Sequence, residues 1–170
     1  MINKTYPADY DDVYNLDNFM KASAYIAKYC QIISFSELLN QQHYDTIIYE
    51  GGQGLLLDQS NMDDFPHLTP SSVGMYNIYD DIAKLNCIPD IFYVSRTYMT
   101  RHGAGPLEAE CTKDSINPQI VDKVNQPNEW QGSLRFGLIN TDSLFNRIKK
   151  DMSNYSKQAN INMVYTQLNS

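Results

Sequence analysis

Two short apolar runs that each end at a glycine-containing loop constrain the fold of this chain more than any other feature. The first run, TIIYE (46–50), is followed by GGQG, and the second, IFYVSRTYMT (91–100), is followed by RHGAGP. Short runs rich in β-branched and aromatic residues predict buried strands. In α/β enzymes the loops after such strands are where ligands bind. We therefore predict two strands, each leading into a candidate ligand loop.

Helical patterns alternate with the predicted strands. Helices are expected after Asp17 as an N-cap, over 36–42 and over 79–86. Thr141 is predicted to cap a further helix. Its apolar face would hold Leu144, Phe145, Ile148, Met152 and Tyr155. A third strand, INMVYTQL (161–168), follows. This alternation predicts an α/β fold with a mainly parallel sheet covered by helices.

Length, charge and cysteine usage narrow the class of protein. A chain of 170 residues is close to the size of one domain. The formal net charge of -7 comes without a cluster of Lys and Arg, which argues against a polynucleotide partner. Three scattered cysteines without a CxxC pair argue against a disulfide framework and a zinc site. No run approaches the roughly 18 apolar residues of a membrane span. We expect a cytoplasmic protein with no membrane partner, and we assign no metal ligand.

Each polar segment has an ordinary interpretation beside a functional one. Residues 58–72, rich in Asp, Pro and Ser, form a long loop of the kind that often lines a site. GGQG can be a simple chain reversal, or it can let Gln53 read the polar edge of a ligand. Arg101 suits an anionic or sugar ligand, or a surface turn with a solvated arginine. Arg135, between two glycines, can equally lie in a flexible loop.

Taken together, these segments resemble the adenylosuccinate synthetase family. Members carry EGAQG followed by LLD, then YPxVTSS, TRxGxGPxPTE, an arginine loop with a downstream glycine, and a TKLD strand end. This sequence has EGGQGLLLD (50–58), FPHLTPSS (65–72), TRHGAGPLEAE (100–110), GSLRFG (132–137) and TQLN (166–169). Five matches in one order are a specific signal. The resemblance implies a partial adenylosuccinate synthetase-like, P-loop NTPase-related domain over 46–170, with 1–45 as a helical N-terminal segment.

The resemblance also implies a reaction, that of a ligase in purine nucleotide biosynthesis. In the family a nucleoside triphosphate phosphorylates the purine 6-oxygen, and the aspartate amine then displaces that phosphate with the help of Mg²⁺. The implied ligands are a purine nucleotide monophosphate (IMP or dGMP), aspartate, Mg²⁺ and ATP or GTP. This chemistry requires alignment and charge stabilisation rather than a covalent nucleophile. The implied partner is a second copy, as a homodimer, or a complementary N-terminal half.

Site residues are carried over from the resemblance motif by motif. The purine nucleotide is assigned to Gln53, Gly54, Thr69 and His102. Thr69 would lie at its phosphate and His102 beside the ribose. Arg135 would hold the aspartate carboxylate, since a guanidinium matches a carboxylate in two parallel hydrogen bonds. The donor nucleotide base is assigned to Gln167 and Asn169. No catalytic residue is assigned.

Departures from the family pattern set further expectations. Ser133 stands where the family has an arginine that touches both aspartate and ribose, so we expect weak recognition of a ribose hydroxyl. Asn169 replaces the acidic residue that reads guanine, so GTP is not expected to be preferred over ATP. Both departures point to the phage branch of the family. Its members make 2-aminoadenylosuccinate from a guanine deoxynucleotide and use an adenine nucleotide as donor.

The GDEGKG phosphate loop of the family has no counterpart in residues 1–45, which contain no glycine. Without its backbone amides the donor phosphates have no cradle, so we expect the chain alone to form no succinyl adduct. A second interpretation, from another class, is a non-catalytic nucleotide-binding or subunit-interaction protein that kept the substrate loops.

Overall fold

The structure, a computed structural model, describes residues 15–41, 44–85 and 87–168. It divides into two compact units, Met1–Ile47 and Ile48–Ser170. None of the helices in these described ranges combines the length and the apolar character that crossing a bilayer requires.

Two capped helices form the described part of the first unit. Helix α1 (Leu16–Tyr29) begins at Asn15, whose side-chain oxygen accepts from the Asp17 amide at 2.9 Å. The prediction of Asp17 as the cap is therefore wrong by two residues, because an asparagine just upstream takes that role. Helix α2 (Phe35–Asn40) begins with a reciprocal cap between Ser34 and Glu37. It starts one residue earlier than predicted, and Gln42 at the predicted end lies outside the described residues.

A pair of parallel strands organises the second unit. Strand β1 (Asp90–Arg96) pairs in parallel with the later strand Asn160–Thr166, in register along its full length. The α/β class and the parallel pairing predicted from the sequence are confirmed, and the third predicted strand lies where expected.

A second, antiparallel sheet was not predicted. It contains β2 (Tyr98–Arg101), β3 (Glu110–Cys111) and β4 (Arg135–Leu138), with β4 in the middle; Asn160–Thr166 is therefore β5. The run 91–100, predicted as one strand, is divided at Thr97. The Thr97 amide and hydroxyl donate to the carbonyls of the last β5 residue and the residue after it, at 3.2 and 3.1 Å. The chain leaves the parallel pair there and enters the other sheet.

Residues 46–50 form no strand, so that prediction is wrong. Neither described sheet includes them. Ile48, at the centre of the run, is 86% exposed. An apolar run becomes a strand only where a neighbouring strand completes its hydrogen bonds. No described strand lies in that position, and the run leads directly into the glycine loop.

The core of the second unit lies between helices and the parallel pair. Helix α3 (Tyr79–Lys84) follows the 3-10 turn Met75–Ile78, α4 is Lys113–Ile116 and α5 is Thr141–Met152. The central buried side chains are Met75, Ile82 and Tyr155. Partly buried Ile91 and Met152 pack against them. The prediction of α3 is confirmed to Lys84, while Asn86 at its predicted end lies outside the described residues.

Helix α5 lies where the sequence predicts a helix, but its N-cap is one residue earlier than predicted. The cap is Asn140, whose side chain accepts from the Ser143 amide at 3.1 Å, so Thr141 is the first helical residue instead. On the predicted apolar face, Ile148 is buried, whereas Phe145 is 48% exposed.

Asp151 near the end of α5 ties three elements together. One carboxylate oxygen accepts from the Met75 amide at 3.0 Å and the other from the Tyr93 hydroxyl at 2.5 Å. Burial, and then the Asp151 carboxylate, raise the pKa of Tyr93. A Cβ at Gly74 would clash with the carboxylate, so only glycine permits this approach. The contact fixes α5 against β1 and the turn before α3.

Candidate functional site

Arg101 is a buried clamp for the loop that follows β2. Its guanidinium donates to the carbonyls of Ala104 at 2.9 Å, Pro106 at 3.2 Å and His67 at 2.8 Å. The residue is 9% exposed, and no carboxylate among the described residues pairs with it. Arg101 is therefore neither a ligand-facing side chain nor a solvated one. It holds the RHGAGP loop against the segment 65–72.

Arg135 holds the same loop from the neighbouring strand. Antiparallel pairing of β2 and β4 places Arg101 opposite Arg135. Arg135 Nη1 donates to the carbonyls of Gly103 at 3.1 Å and Gly105 at 2.8 Å. The two arginines thus hold four consecutive carbonyls, from residue 103 to residue 106, in alternation. A loop held in this way is fixed before any ligand arrives.

Gly105 is required at its position by both backbone and space. Its φ of +109° lies in the region that L side chains rarely adopt. A Cβ there would clash with Arg101 Nη2 and would lie 2.7 Å from the Cβ of His67. The glycines that the sequence suggested for close ligand approach therefore also admit the arginine clamp.

The remaining edge of Arg135 is occupied by Glu110. Arg135 Nε donates to one carboxylate oxygen at 2.8 Å and Nη2 to the other at 2.5 Å. The Arg135 side chain is 29% exposed and that of Glu110 46%. The hydrogen bond from Arg135, and then its charge, lower the pKa of Glu110 below its usual value. The assignment of Arg135 to aspartate stays a prediction, and sequence reasoning missed Glu110 although it ends the TRHGAGPLEAE motif.

His102 joins the RHGAGP loop to the turn before β4. Its Nε2 lies 3.3 Å from the carbonyl oxygen of Gly132. That turn is closed by paired backbone hydrogen bonds between Asn128 and Gly132, at 3.1 and 2.8 Å. Ser133, the next residue, is exposed. His102 and Ser133, both expected near the ribose, therefore lie on two loops that touch.

The glycine loop 51–54 is adjacent to the segment 65–73. The Thr69 amide donates to the Leu57 carbonyl at 2.9 Å, and the Val73 amide donates to the Asp58 carboxylate at 2.8 Å. Gly54 directly precedes the 3-10 turn Leu55–Leu57. These contacts hold the LLLD and TPSS segments side by side.

The Asp58 carboxylate accepts hydrogen bonds from backbone amides where the LLLD and TPSS segments meet. Partial burial raises the pKa of Asp58, but hydrogen bonds from Ser60 and Val73 and the charge of Lys150 outweigh it, so the net pKa is lowered. The ionised carboxylate therefore serves as an acceptor for backbone amides of the junction.

Gln53 and Thr69 keep polar atoms free for a ligand. Gln53 is exposed and Thr69 is partly buried. Within the described part of the chain, neither the side-chain amide of Gln53 nor the hydroxyl of Thr69 makes a hydrogen bond. The side chains predicted to bind base and phosphate are therefore available, whereas Arg101 and Arg135 are engaged.

The predicted donor site lies at the end of β5. The Gln167 carbonyl accepts from the Thr97 hydroxyl at 3.1 Å, and Gln167 has a φ of +61°. Arg96, in register with Thr166, reaches the Thr100 hydroxyl at 2.7 Å. The carboxyl end of the parallel pair is thus next to the start of β2. Asn169 lies outside the described residues.

An open depression of about 510 Å³ lies along α5, and none of the predicted site residues lines it. It is lined by Glu108, Asn140, Asp142, Ser143, Asn146, Arg147 and Lys150. Glu108 is bound there by Ser143 at 2.8 Å and Arg147 at 3.1 Å. Because the depression is shallow and internally paired, we assign the site instead to four joined loops, which are 51–58, 65–72, 101–106 and the turn 128–132. No metal-binding cluster of three His, Cys, Asp or Glu side chains occurs in the described ranges.

Comparison with known proteins gives one match. A family model described as adenylosuccinate synthetase matches residues 1–133. None of the curated proteins and none of the solved structures compared with the chain matches it. The matched residues include 1–45, upstream of the motifs, and end just before Arg135.

Proposed function

We infer the function from one premise: the chain belongs to the adenylosuccinate synthetase family. This is a family of purine-biosynthesis ligases that generally use GTP and Mg²⁺ and act on an IMP-like nucleotide and aspartate. We propose that residues 46–170 supply the loops that hold the purine nucleotide and aspartate while the two are joined. Residues 1–45 are the helical N-terminal segment of this proposal, of which 1–14, 42 and 43 lie outside the described residues.

The observation that carries the proposal is the joining of four loops by contacts between their backbones and side chains. Arg101 ties 101–106 to 65–72, the Thr69 amide ties 65–72 to 51–58, and His102 ties 101–106 to the turn 128–132. Joining two anionic substrates depends on holding them in a reactive geometry, for which rigid polar loops are suited. The clamped loops meet that requirement without a nucleophilic side chain.

The proposed roles begin with Gln53 and Thr69, whose side chains make no hydrogen bond within the described residues. Gln53 and Gly54 would contact the purine base, since the Gln53 amide can both donate and accept. The Thr69 hydroxyl would donate to the nucleotide phosphate. His102 would lie beside the sugar, and Arg135 would hold the aspartate carboxylate through its Nε and Nη2 atoms.

The acceptor is proposed to be a deoxynucleotide, dGMP, rather than IMP. Ser133 is exposed beside the Gly132 carbonyl that His102 contacts. The short, uncharged Ser133 side chain offers no charged hydrogen-bond donor to a ribose 2′-hydroxyl. A site without that donor gains little from the ribose form.

The donor nucleotide and its metal ion are the least constrained ligands. Mg²⁺ supplies charge neutralisation for the transferred phosphate in such reactions. The described residues offer no cluster of carboxylates that fits the ion, so no ligand is assigned to it. We propose that Gln167 and Asn169 contact the donor base without selecting guanine. Competition between ATP and GTP tests this, and a preference for GTP above about tenfold would contradict it.

Sugar selection provides the test of the acceptor site. Titrating dGMP, GMP, dIMP and IMP into the wild type should show little preference for the ribonucleotides. Ser133→Arg should favour the ribo forms by about tenfold or more, the value of one charge-assisted hydrogen bond. Thr69→Ala should weaken deoxy and ribo forms alike, because it acts at the phosphate. A strong wild-type preference for ribonucleotides would reject the deoxynucleotide assignment.

A further inference from the structure

The guanidinium of Arg135 has two separately occupied sides. On one side, Nη1 is fixed to the carbonyls of Gly103 and Gly105. On the other side, Nε and Nη2 make two parallel hydrogen bonds to the Glu110 carboxylate. This second side is the edge that a carboxylate ligand would use.

We propose that Glu110 is an internal competitor for the carboxylate of the amino-acid substrate and thereby sets the affinity of the site for that substrate. The inference rests on the proposed function, in which Arg135 holds aspartate. Glu110 occupies the Nε and Nη2 edge of Arg135 before the substrate binds. An incoming carboxylate takes the same edge, and Glu110 moves into solvent.

Displacement of Glu110 requires little free energy, whereas displacement of Arg135 requires more. The Glu110 side chain is 46% exposed, and exposed ion pairs contribute little because water solvates the separated charges. When Glu110 leaves, the two carbonyl contacts of Nη1 still hold the guanidinium in place. The site therefore opens by rotation of one surface glutamate and needs no loop movement.

The geometry also restricts the ligand class. A ligand must bring two coplanar oxygens to compete with a bidentate carboxylate, so a neutral amide should compete poorly. Aspartate and similar dicarboxylates meet this requirement, while asparagine presents only its α-carboxylate. Glu110 thus lowers the affinity of every ligand of this edge by the same factor, because each must first displace it, and the two-atom edge of Arg135 itself favours carboxylates over amides.

A matched control exists in the same unit. Glu108 pairs with Arg147, and this pair has the same exposures as the Glu110 pair, 46% for the acid and 29% for the arginine. It differs in position, because it lies on the depression along α5. Glu108→Gln removes an equivalent surface charge and leaves the Arg135 edge untouched.

The test is a titration of L-aspartate into the full chain at saturating dGMP, monitored by calorimetry and by the Arg135 Nε–H signal in NMR spectra. Glu110→Gln should lower the dissociation constant about threefold to fivefold, the range of an exposed ion pair. Glu108→Gln should leave it unchanged. In the wild type, aspartate should shift the Arg135 signal as Glu110 is replaced, and in Glu110→Gln the free signal should already differ.

The outcomes separate this inference from the proposed function. Arg135→Lys keeps a donor for the loop carbonyls but removes the two-atom edge. If Arg135→Lys abolishes aspartate binding while Glu110→Gln leaves it unchanged or weakens it, the competitor role is wrong and the function stands. If Arg135→Lys has no effect, or if no variant binds aspartate, the proposed aspartate site itself is wrong.

Discussion

Replacing Arg101 with leucine should lower the free energy of unfolding by about 3 kcal/mol, because three hydrogen bonds from a charged, buried donor are lost together. The carbonyls of Ala104, Pro106 and His67 would remain partly shielded from water and would lack a hydrogen-bond donor. Nucleotide affinity should fall as well, since the clamp joins two of the substrate loops. Urea denaturation followed by circular dichroism measures the first effect and dGMP titration the second.

Arg147→Leu is the matched control for this prediction. Arg147 also makes a charged hydrogen bond, but with the exposed Glu108 on the surface of α5. Its loss should cost less than about 1 kcal/mol, as is usual for an exposed pair. Equal losses for Arg101→Leu and Arg147→Leu would show that Arg101 is not a clamp.

Asp151→Ala should be comparably destabilising, by about 3 kcal/mol, for a different reason. The substitution removes the acceptor for the Met75 amide and the Tyr93 hydroxyl, both partly shielded from water. An unsatisfied buried donor costs about 1–3 kcal/mol, so two donors account for the expected size. Thermal or urea unfolding gives the value.

A double-mutant cycle that combines Asp151→Ala with Tyr93→Phe measures the free energy of the Asp151–Tyr93 hydrogen bond. If Asp151 and Tyr93 act through their hydrogen bond, the two losses should depart from additivity by about 1 kcal/mol or more. Asp142→Ala, an exposed carboxylate in the first turn of α5, should cost only a few tenths of a kcal/mol. Strict additivity in the cycle would contradict the proposed tie between α5 and β1.

Helix positions follow closely from the sequence, whereas their caps do not. Asn15 and Asn140 cap α1 and α5, where Asp17 and Thr141 were predicted. All three residue types cap helices well, so propensity cannot choose among neighbours in a row of candidates. The residue that caps the helix is the one whose backbone is extended just before the first turn. The structure shows this conformation, whereas the amino-acid composition does not.

Strand predictions failed where pairing decides the outcome. Residues 91–100 have one continuous apolar pattern, yet they divide between a parallel and an antiparallel sheet at Thr97. Residues 46–50 have a strand-like pattern but no described partner strand. A strand depends on hydrogen bonds to distant residues, and the pattern of one segment does not contain that information.

The loops of the candidate site were predictable, but the tasks of their charged residues were not. The motif order located Gln53, Thr69 and His102 on loops that the structure joins. Sequence could not show that Arg101 is buried and holds three carbonyls, or that Glu110 occupies Arg135. The first result depends on the register of β2 and β4, which places the two arginines opposite each other, and the second depends on the pairing of β3 with β4.

Chemical-shift mapping tests most directly whether the four joined loops bind a purine nucleotide. Adding dGMP to the isotope-labelled chain should shift the amide signals of Gln53, Thr69 and residues 102–105. The signals of the depression along α5, such as those of Asn146 and Lys150, should stay in place. Shifts confined to that depression, or no shift in any of the four joined loops at millimolar nucleotide, would contradict the assignment of a purine nucleotide site to these loops.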